Sequence, residues 1–211
     1  MHPSPTAPSP RAARWDNLHR TRVATEMSWY QPLPATSLEL IQASELTPQT
    51  PIVDVGSGAS TLVDALLDRG FQDITLLDIA DAAFAPTRAR LGARAERITF
   101  VASDVTRWTP TRNYGLWHDR AVFHFLTDAG DRAAYKEVLR AALARGATAI
   151  VATFALDGPE KCSGLPIVRY SIDTLAAELR GVLRLREHRH ELHRTPSGGT
   201  QSFVFGAFSR A

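Results

Sequence analysis

Residues 51 to 60 read PIVDVGSGAS, and this decapeptide restricts the fold more than any other stretch of the chain. The β-branched Ile52 and Val53 lead into Asp54 and Val55, then Gly56-Ser57-Gly58, and the apolar-periodic run TLVDALLDRG follows. A strand that enters a helix through two closely spaced glycines lets a ligand approach its backbone without a Cβ in the way. Further strand-like runs fall at 73–77, 97–101, 114–118 and 147–154, with helical patterns between most of them. Such alternation implies right-handed crossovers and a parallel sheet.

The clearest helix is DRAAYKEVLRAALARG, expected to start at a capping Asp131 and to end at Gly146. SLELIQASEL reads as a short amphipathic helix behind Ser37. After the helical SIDTLAAELRG the pattern changes. LRLREHRHEL and QSFVFGAFS are strand-like runs joined by the turn-rich HRTPSGGT, an antiparallel hairpin. The expected architecture is a doubly wound, Rossmann-like α/β sheet of seven strands, mostly parallel and closed by that hairpin.

A chain of 211 residues accommodates one sizeable core. Residues 1–12 open on the Pro/Ser-rich MHPSPTAPSP and are expected to be disordered. Residues 13–211 then form the domain, and 13–46, with Trp15, Trp29 and Tyr30, serve as N-terminal helices and a lid. A formal net charge of +2 argues against a nucleic-acid partner. The single Cys162 excludes an intramolecular disulfide and a cysteine-only metal site. His188, His190 and His193 resemble a metal-binding run, but strand alternation divides them between two faces, so no metal is expected. No apolar run approaches the ~20 residues that cross a bilayer, no signal-peptide pattern opens the chain, and a cytoplasmic location is expected.

In a parallel α/β sheet the ligand lies beyond the carboxyl ends of the strands, where Gly56 and Gly58 fall. A phosphate-binding P-loop is excluded, because no Gly-Lys-Ser/Thr follows; Thr61 stands where a dinucleotide fingerprint has its third glycine. Asp78 ends the second strand 20 residues after Gly58, placed to accept both hydroxyls of a ribose. Asp104, in VASDV, ends the third strand and can meet an adenine edge. Asp54, inside the glycine motif, suits a cationic amino group better than a pyrophosphate.

These motifs resemble those of the class I S-adenosylmethionine (SAM)-dependent methyltransferases, over a span from about residue 15 to the C-terminus. The resemblance implies that Asp54, Gly56, Ser57 and Gly58 wrap the methionine part of SAM, that Asp78 and Ile79 hold the ribose, and that Asp104 and Val105 hold the adenine. It also places Asp119, in WHDRAVFHFL, facing the methyl group.

Methyl transfer is an in-line displacement, and alignment of the partners can supply ~7–11 kcal/mol of the barrier. The run Trp117-His118-Asp119-Arg120-Ala121 resembles the Trp-Asp-Arg-small pattern of thiopurine- and thiol-type methyltransferases, with one residue inserted. The same segment resembles the Asp-Lys-Gly-Thr-Leu-Asp of lysine methyltransferases of the elongation-factor and citrate-synthase type, with His124 in place of the last acid. A neutral imidazole suits a thiol better than a cationic lysine.

The expected activity is therefore methylation of a small acceptor, sulfur first. His124 and Asp119 are the expected catalytic pair, and Trp29, Tyr30, Arg120, Phe123, Arg169 and Tyr170 the expected acceptor contacts. Protein-lysine methylation and a non-catalytic SAM-binding role stand as the alternatives. The oligomeric state is not legible.

Overall fold

The computed structural model describes residues 9–211. Five parallel strands form the body of one sheet: β1 (Ile52–Val55), β2 (Ile74–Asp78), β3 (Ile98–Ala102), β4 (Tyr114–Arg120) and β5 (Leu143–Phe154). A two-residue pair, β6 (Lys161–Cys162) and β7 (Leu165–Pro166), stands apart. The long antiparallel strands β8 (Leu183–Arg194) and β9 (Thr200–Arg210) complete the main sheet, whose order is β3-β2-β1-β4-β5-β9-β8. Strand order reverses between β1 and β4, which opens a crevice at their carboxyl ends.

The helices are α1 (Pro10–Thr21), α2 (Ala35–Ala43), α3 (Leu62–Asp68), α4 (Ala85–Leu91), α5 (Ala129–Ala142) and α6 (Ile172–Glu178). One apolar layer joins Leu38, Leu40 and Ile41 of α2 and Leu62, Val63 and Leu66 of α3 to the sheet. The other joins Tyr135 and Leu139 of α5 and Leu175 of α6 to its opposite face. Every residue of β1 and β2 is buried. Strands covered on both faces read as continuous apolar runs, which is why these two were visible in the sequence.

Helix boundaries differ from expectation in four places. α2 begins at Ala35, so Ser37 is a buried residue inside that helix rather than the residue ahead of it. Residues 1–8 of the expected disordered tail lie outside the described residues, but Pro10 to Ala12 are helical. Ser9 caps that helix by accepting from the Ala12 N–H, and Pro10 sits at its first turn, where a missing N–H does no harm. α5 begins at Ala129, two residues before Asp131, because Asp128 is the cap and accepts from the N–H groups of Gly130 and Asp131. It ends at Ala142, where β5 starts, so Gly146 lies inside a strand rather than past a helix.

No residue of α1 is fully buried. The helix is held across the crevice by its partly buried Trp15, packed against Trp29 and Phe125, and by polar contacts. Asp16 accepts from the Ala82 N–H at 3.0 Å, and Arg14 donates to the Ser163 carbonyl at 3.0 Å. Arg11 pairs with Asp131 and, at 3.4 Å, with Asp104.

Candidate active site

Val55 runs straight into the tight turn Gly56-Ser57-Gly58, with φ of +62° at Gly56 and +49° at Gly58. A side chain is strained in that region, and at Gly56 it would also collide: a Cβ there would stand 2.0 Å from Cγ2 of Val122. Gly58 donates its N–H to Oδ2 of Asp78 at 2.9 Å, and Ala80 donates to Oδ1 at 2.9 Å. The carboxylate is thereby fixed at the end of β2. Burial pushes its pKa up to about 6, against the lowering effect of those two N–H groups.

Two cavities meet above this turn. The larger, of about 120 Å³, is walled by Gly56, Gly58, Asp78, Ile79, Asp104 and Val105 on the sheet side. Trp15, His19, Trp29, Phe125 and Cys162 wall its other side. Trp15 packs edge-on to Trp29 and to Phe125, with centroids 6.1 and 5.2 Å away. The smaller cavity, of about 50 Å³, has a mixed lining that takes in Asp54, Ser57, Tyr30, Gln31, Ser37 and His118. Val55, Gly56, Trp29 and Arg120 border both.

Asp54 is buried, and its Oδ1 lies 2.7 Å from Nδ1 of His118, whose Nε2 lies 2.9 Å from the Ser37 hydroxyl. An ionised carboxylate only accepts, so Nδ1 carries the proton that points at Asp54. Oδ2 of Asp54 and Oγ of Ser57 are buried without partners. An orphaned carboxylate oxygen at the smaller cavity fits an incoming ammonium, such as that of SAM. Asp78 and Asp104 in the adjoining cavity fit its ribose and adenine.

The expected cofactor residues Asp54, Gly56, Ser57, Gly58, Asp78, Ile79, Asp104 and Val105 all border one of the two cavities. So do the expected acceptor contacts Trp29, Tyr30 and Arg120. The others are placed elsewhere.

Asp119 is fully buried and lines neither cavity. It accepts from the Val122 N–H at 2.9 Å and from the Tyr135 hydroxyl at 2.7 Å. These bonds hold Ala121 at φ +73° and set Val122 against Gly56, so Asp119 shapes the turn that borders the larger cavity. Burial lifts its pKa to about 6.

His124 is likewise fully buried and away from both cavities. It sits in a short 3-10 turn, Phe123–Phe125, with its ring near Phe125 and Phe154. Its Nδ1 accepts from the Phe154 N–H at 3.3 Å, and burial takes its pKa down to about 3. A ring packed this way is a structural histidine rather than a base open to an acceptor. Phe123 is buried between Tyr135 and Tyr170. Arg169 donates to the Gly158 carbonyl and pairs with Glu160, away from the cavities.

Sequence reasoning missed the imidazole that does face the site. His19 of α1 borders the larger cavity, 3.5 Å from where a Gly58 Cβ would be. Desolvation takes its pKa below the ordinary histidine value, with Asp16 acting the other way, so the ring is neutral near pH 7. No local motif flags it; only the docking of α1 brings it over the turn.

A family model described as a methyltransferase domain matches residues 52–146. The chain is 30% identical over 95 residues to the eEF1A lysine and N-terminal methyltransferases of Mus musculus and Bos taurus, 44% of this chain but 13% of each of those proteins. Among solved structures, one that shows the conversion of a disulfide bond into a thioacetal group during echinomycin biosynthesis superposes with a TM-score of 0.73 at 18% identity, over 95% of this chain and 92% of that one. The Burkholderia thailandensis 1,6-didemethyltoxoflavin-N1-methyltransferase, with its substrate and S-adenosylhomocysteine bound, gives 0.69 at 17% identity, over 100% and 93%. A SAM-dependent methyltransferase of Anabaena variabilis gives 0.72 at 12%, over 95% and 93%. Residues 52–146 match that methyltransferase-domain family, and the chain has the fold of the class I, SAM-dependent methyltransferases.

Proposed function

We propose that the chain transfers the methyl group of SAM to a small acceptor, with a thiol sulfur as the leading acceptor atom. The observation that carries this reading is the roof over the larger cavity. Trp15 and His19 of α1, with Trp29 and Phe125, enclose the space next to Gly56 and leave a chamber suited to a small apolar or aromatic molecule. Such a roof excludes water and holds the acceptor in line, as a lid does.

In this arrangement Asp78 receives the ribose, Asp104 the adenine edge and Asp54 the ammonium of SAM, which supplies an activated methyl group when bound. Val55, Gly56 and Trp29, common to both cavities, then flank the reacting centre. His19 faces the chamber as a neutral imidazole and takes the proton of the acceptor thiol. An ordinary thiol pKa near ~8.5 lies within easy reach of such a base. Cys162 also borders the chamber, but burial pushes its thiol up to about 11. It therefore stays protonated and serves as wall.

The likeness to lysine methyltransferases of eEF1A favours a second reading, methylation of a protein amine. That likeness covers 44% of the chain, and a chamber roofed by Trp15, Trp29 and Phe125 fits a small molecule better than a folded protein surface. The structure tied to disulfide-to-thioacetal conversion belongs to sulfur chemistry, which supports the thiol reading. Among the described residues no helix is long and apolar enough to cross a membrane, and a cytoplasmic site of action is part of this proposal.

Methyl-labelled SAM, incubated with the protein and a panel of thiols, phenols, amines and whole proteins, tests the reading. Label on small thiols supports it, whereas label confined to a protein lysine replaces it with the second reading.

A further inference from the structure

Trp29, which borders both cavities, belongs to a segment with neither helix nor strand to hold it. Residues 28–31 run between the 3-10 turn Ala24–Glu26 and α2. Three of their four carbonyls are each taken by a side chain from another element. Nε2 of His193, on β8, lies 2.8 Å from the Ser28 carbonyl. A carbonyl only accepts, so this nitrogen carries the proton. Nη1 of Arg120, at the end of β4, donates to the Trp29 carbonyl at 3.0 Å. The Thr61 hydroxyl, just ahead of α3, donates to the Gln31 carbonyl at 2.9 Å.

Glu191 ties these points together. Its Oε1 accepts from the Gln31 side-chain amide at 2.9 Å and pairs with Nη2 of Arg120 at 3.5 Å. The Arg120 guanidinium lies over the Phe203 ring of β9, 4.4 Å from its centroid, and the His193 ring stands 6.3 Å from the same centroid. Glu191 and His193 are two residues apart on the edge strand of the sheet, so their side chains share one face. His193 is buried, and the Glu191 side chain is 13% exposed. A pair so shielded is screened by salt much less than a surface pair.

The carboxylates on the cofactor side are fixed by other contacts. Gly58 and Ala80 hold Asp78, and His118 faces Asp54; none of these bonds passes through residues 28–31. The cofactor floor and the Trp29 wall therefore have separate fastenings, and the second reaches across to the far edge of the sheet.

We propose that Glu191 and His193 are positioning residues for methyl transfer, fastening residues 28–31 so that the Trp29 ring is set against the acceptor. The inference deepens the methyl-transfer reading and rests on it. A displacement of about 1 Å at such a wall can cost up to about 10²-fold in rate. Acceptor turnover should depend on these two residues of β8, while cofactor binding should not.

Fluorine NMR of the full chain labelled with 5-fluorotryptophan reads the placement directly, with the Trp29 and Trp117 signals assigned from Trp29→Phe and Trp117→Phe. His193→Ala is the deciding variant, because it removes the bond to Ser28 and no charge; Glu191→Ala also strips Arg120 of its carboxylate and costs folding stability. In His193→Ala the Trp29 signal should shift or broaden while that of Trp117 stays. Its affinity for S-adenosylhomocysteine should remain within about threefold of the wild type. The kcat/KM for thiophenol, followed with methyl-labelled SAM, should fall by about tenfold or more. His193→Gln keeps an N–H for the Ser28 carbonyl and should recover most of both effects.

A Trp29 signal unmoved in His193→Ala would overturn the proposal. So would a displaced Trp29 with unchanged kcat/KM, or Trp29, Trp117 and S-adenosylhomocysteine affinity changing together, which marks a general loss of structure. The methyl-transfer reading fails separately, if the wild type binds no S-adenosylhomocysteine. A wild type that binds it but leaves thiophenol unmethylated overturns the positioning of a thiol acceptor, and the fluorine signals still decide whether β8 sets Trp29.

Discussion

Oδ1 of Asp54 lies 2.7 Å from Nδ1 of His118, and this contact leaves Oδ2 of the same carboxylate as an unpartnered buried oxygen at the smaller cavity. His118 is held in turn by the Ser37 hydroxyl at 2.9 Å. An acid of the glycine motif is thus aimed by a neighbouring strand and a helix, through a chain of three buried side chains.

His118→Leu removes the donor and leaves both oxygens of Asp54 buried without partners. The expected loss is about 1–3 kcal/mol of folding stability, together with weaker S-adenosylhomocysteine binding. Ser37→Ala should cost less, since it leaves the His118–Asp54 contact in place. Chemical denaturation and calorimetry on the two variants check this order. Equal affinity in His118→Leu and the wild type would show that Asp54 needs no aiming.

His124 links folding to pH. Its folded-state pKa of about 3 lies below the ordinary value of 6.5, so the unfolded chain binds a proton between those limits that the folded chain does not. Stability from this group is complete above pH 6.5 and is lost as the pH falls toward 3. Asp78 and Asp119, both raised to about 6, act oppositely: the folded state holds their protons longer, and their unfavourable contribution appears as pH rises through about 4 to 6. The effect of His124 is therefore isolated by difference. His124→Gln retains an acceptor for the Phe154 N–H and cannot titrate. Between pH 6.5 and 5 the wild type should lose about 2 kcal/mol relative to this variant, at ~1.4 kcal/mol per pH unit. Denaturation curves that stay parallel across that range would contradict a buried neutral ring.

His19 gives a kinetic signature. A neutral base works only while unprotonated, so kcat/KM for a thiol should rise with pH and level off at an apparent pKa below 6.5, the direction that burial gives this ring. Asp16 on the same helix, Asp78 and Asp104 at the strand ends, Arg120 and Arg11 face or flank the same space and displace the inflection without supplying a second imidazole. His19→Gln should lower kcat by about 10²–10⁴-fold and remove the inflection, while His124→Gln retains it. A His19→Gln profile with the wild-type inflection would remove the base role.

The sheet was legible because β1 and β2 are buried along their whole length, and the floor of the larger cavity because Gly56, Gly58, Asp78 and Asp104 fall at or just past strand ends in order. The acceptor side was not. Asp119 lies near the end of β4 and Phe123 and His124 follow that strand, but the turn held by Asp119 directs Val122 and Phe125 at the cavity and packs His124 inward. Nothing in the local pattern reports that direction. His19 comes from a helix with no fully buried residue, so its position depends on long-range contacts such as Trp15–Phe125, Asp16–Ala82 and Arg11–Asp104, which no periodicity encodes. The Asp131 cap was displaced for a simpler reason: Asp128 offers the same chemistry one turn earlier.

The central claim is that Asp78 and its neighbours hold SAM, and calorimetry with S-adenosylhomocysteine and NAD tests it most directly. Asp78 is fixed by the N–H groups of Gly58 and Ala80, with lone pairs left for two ribose hydroxyls. The wild type should bind S-adenosylhomocysteine and not NAD, and Asp78→Ala should weaken that binding by about 1–3 kcal/mol. Tight NAD binding with no measurable S-adenosylhomocysteine binding would contradict the account.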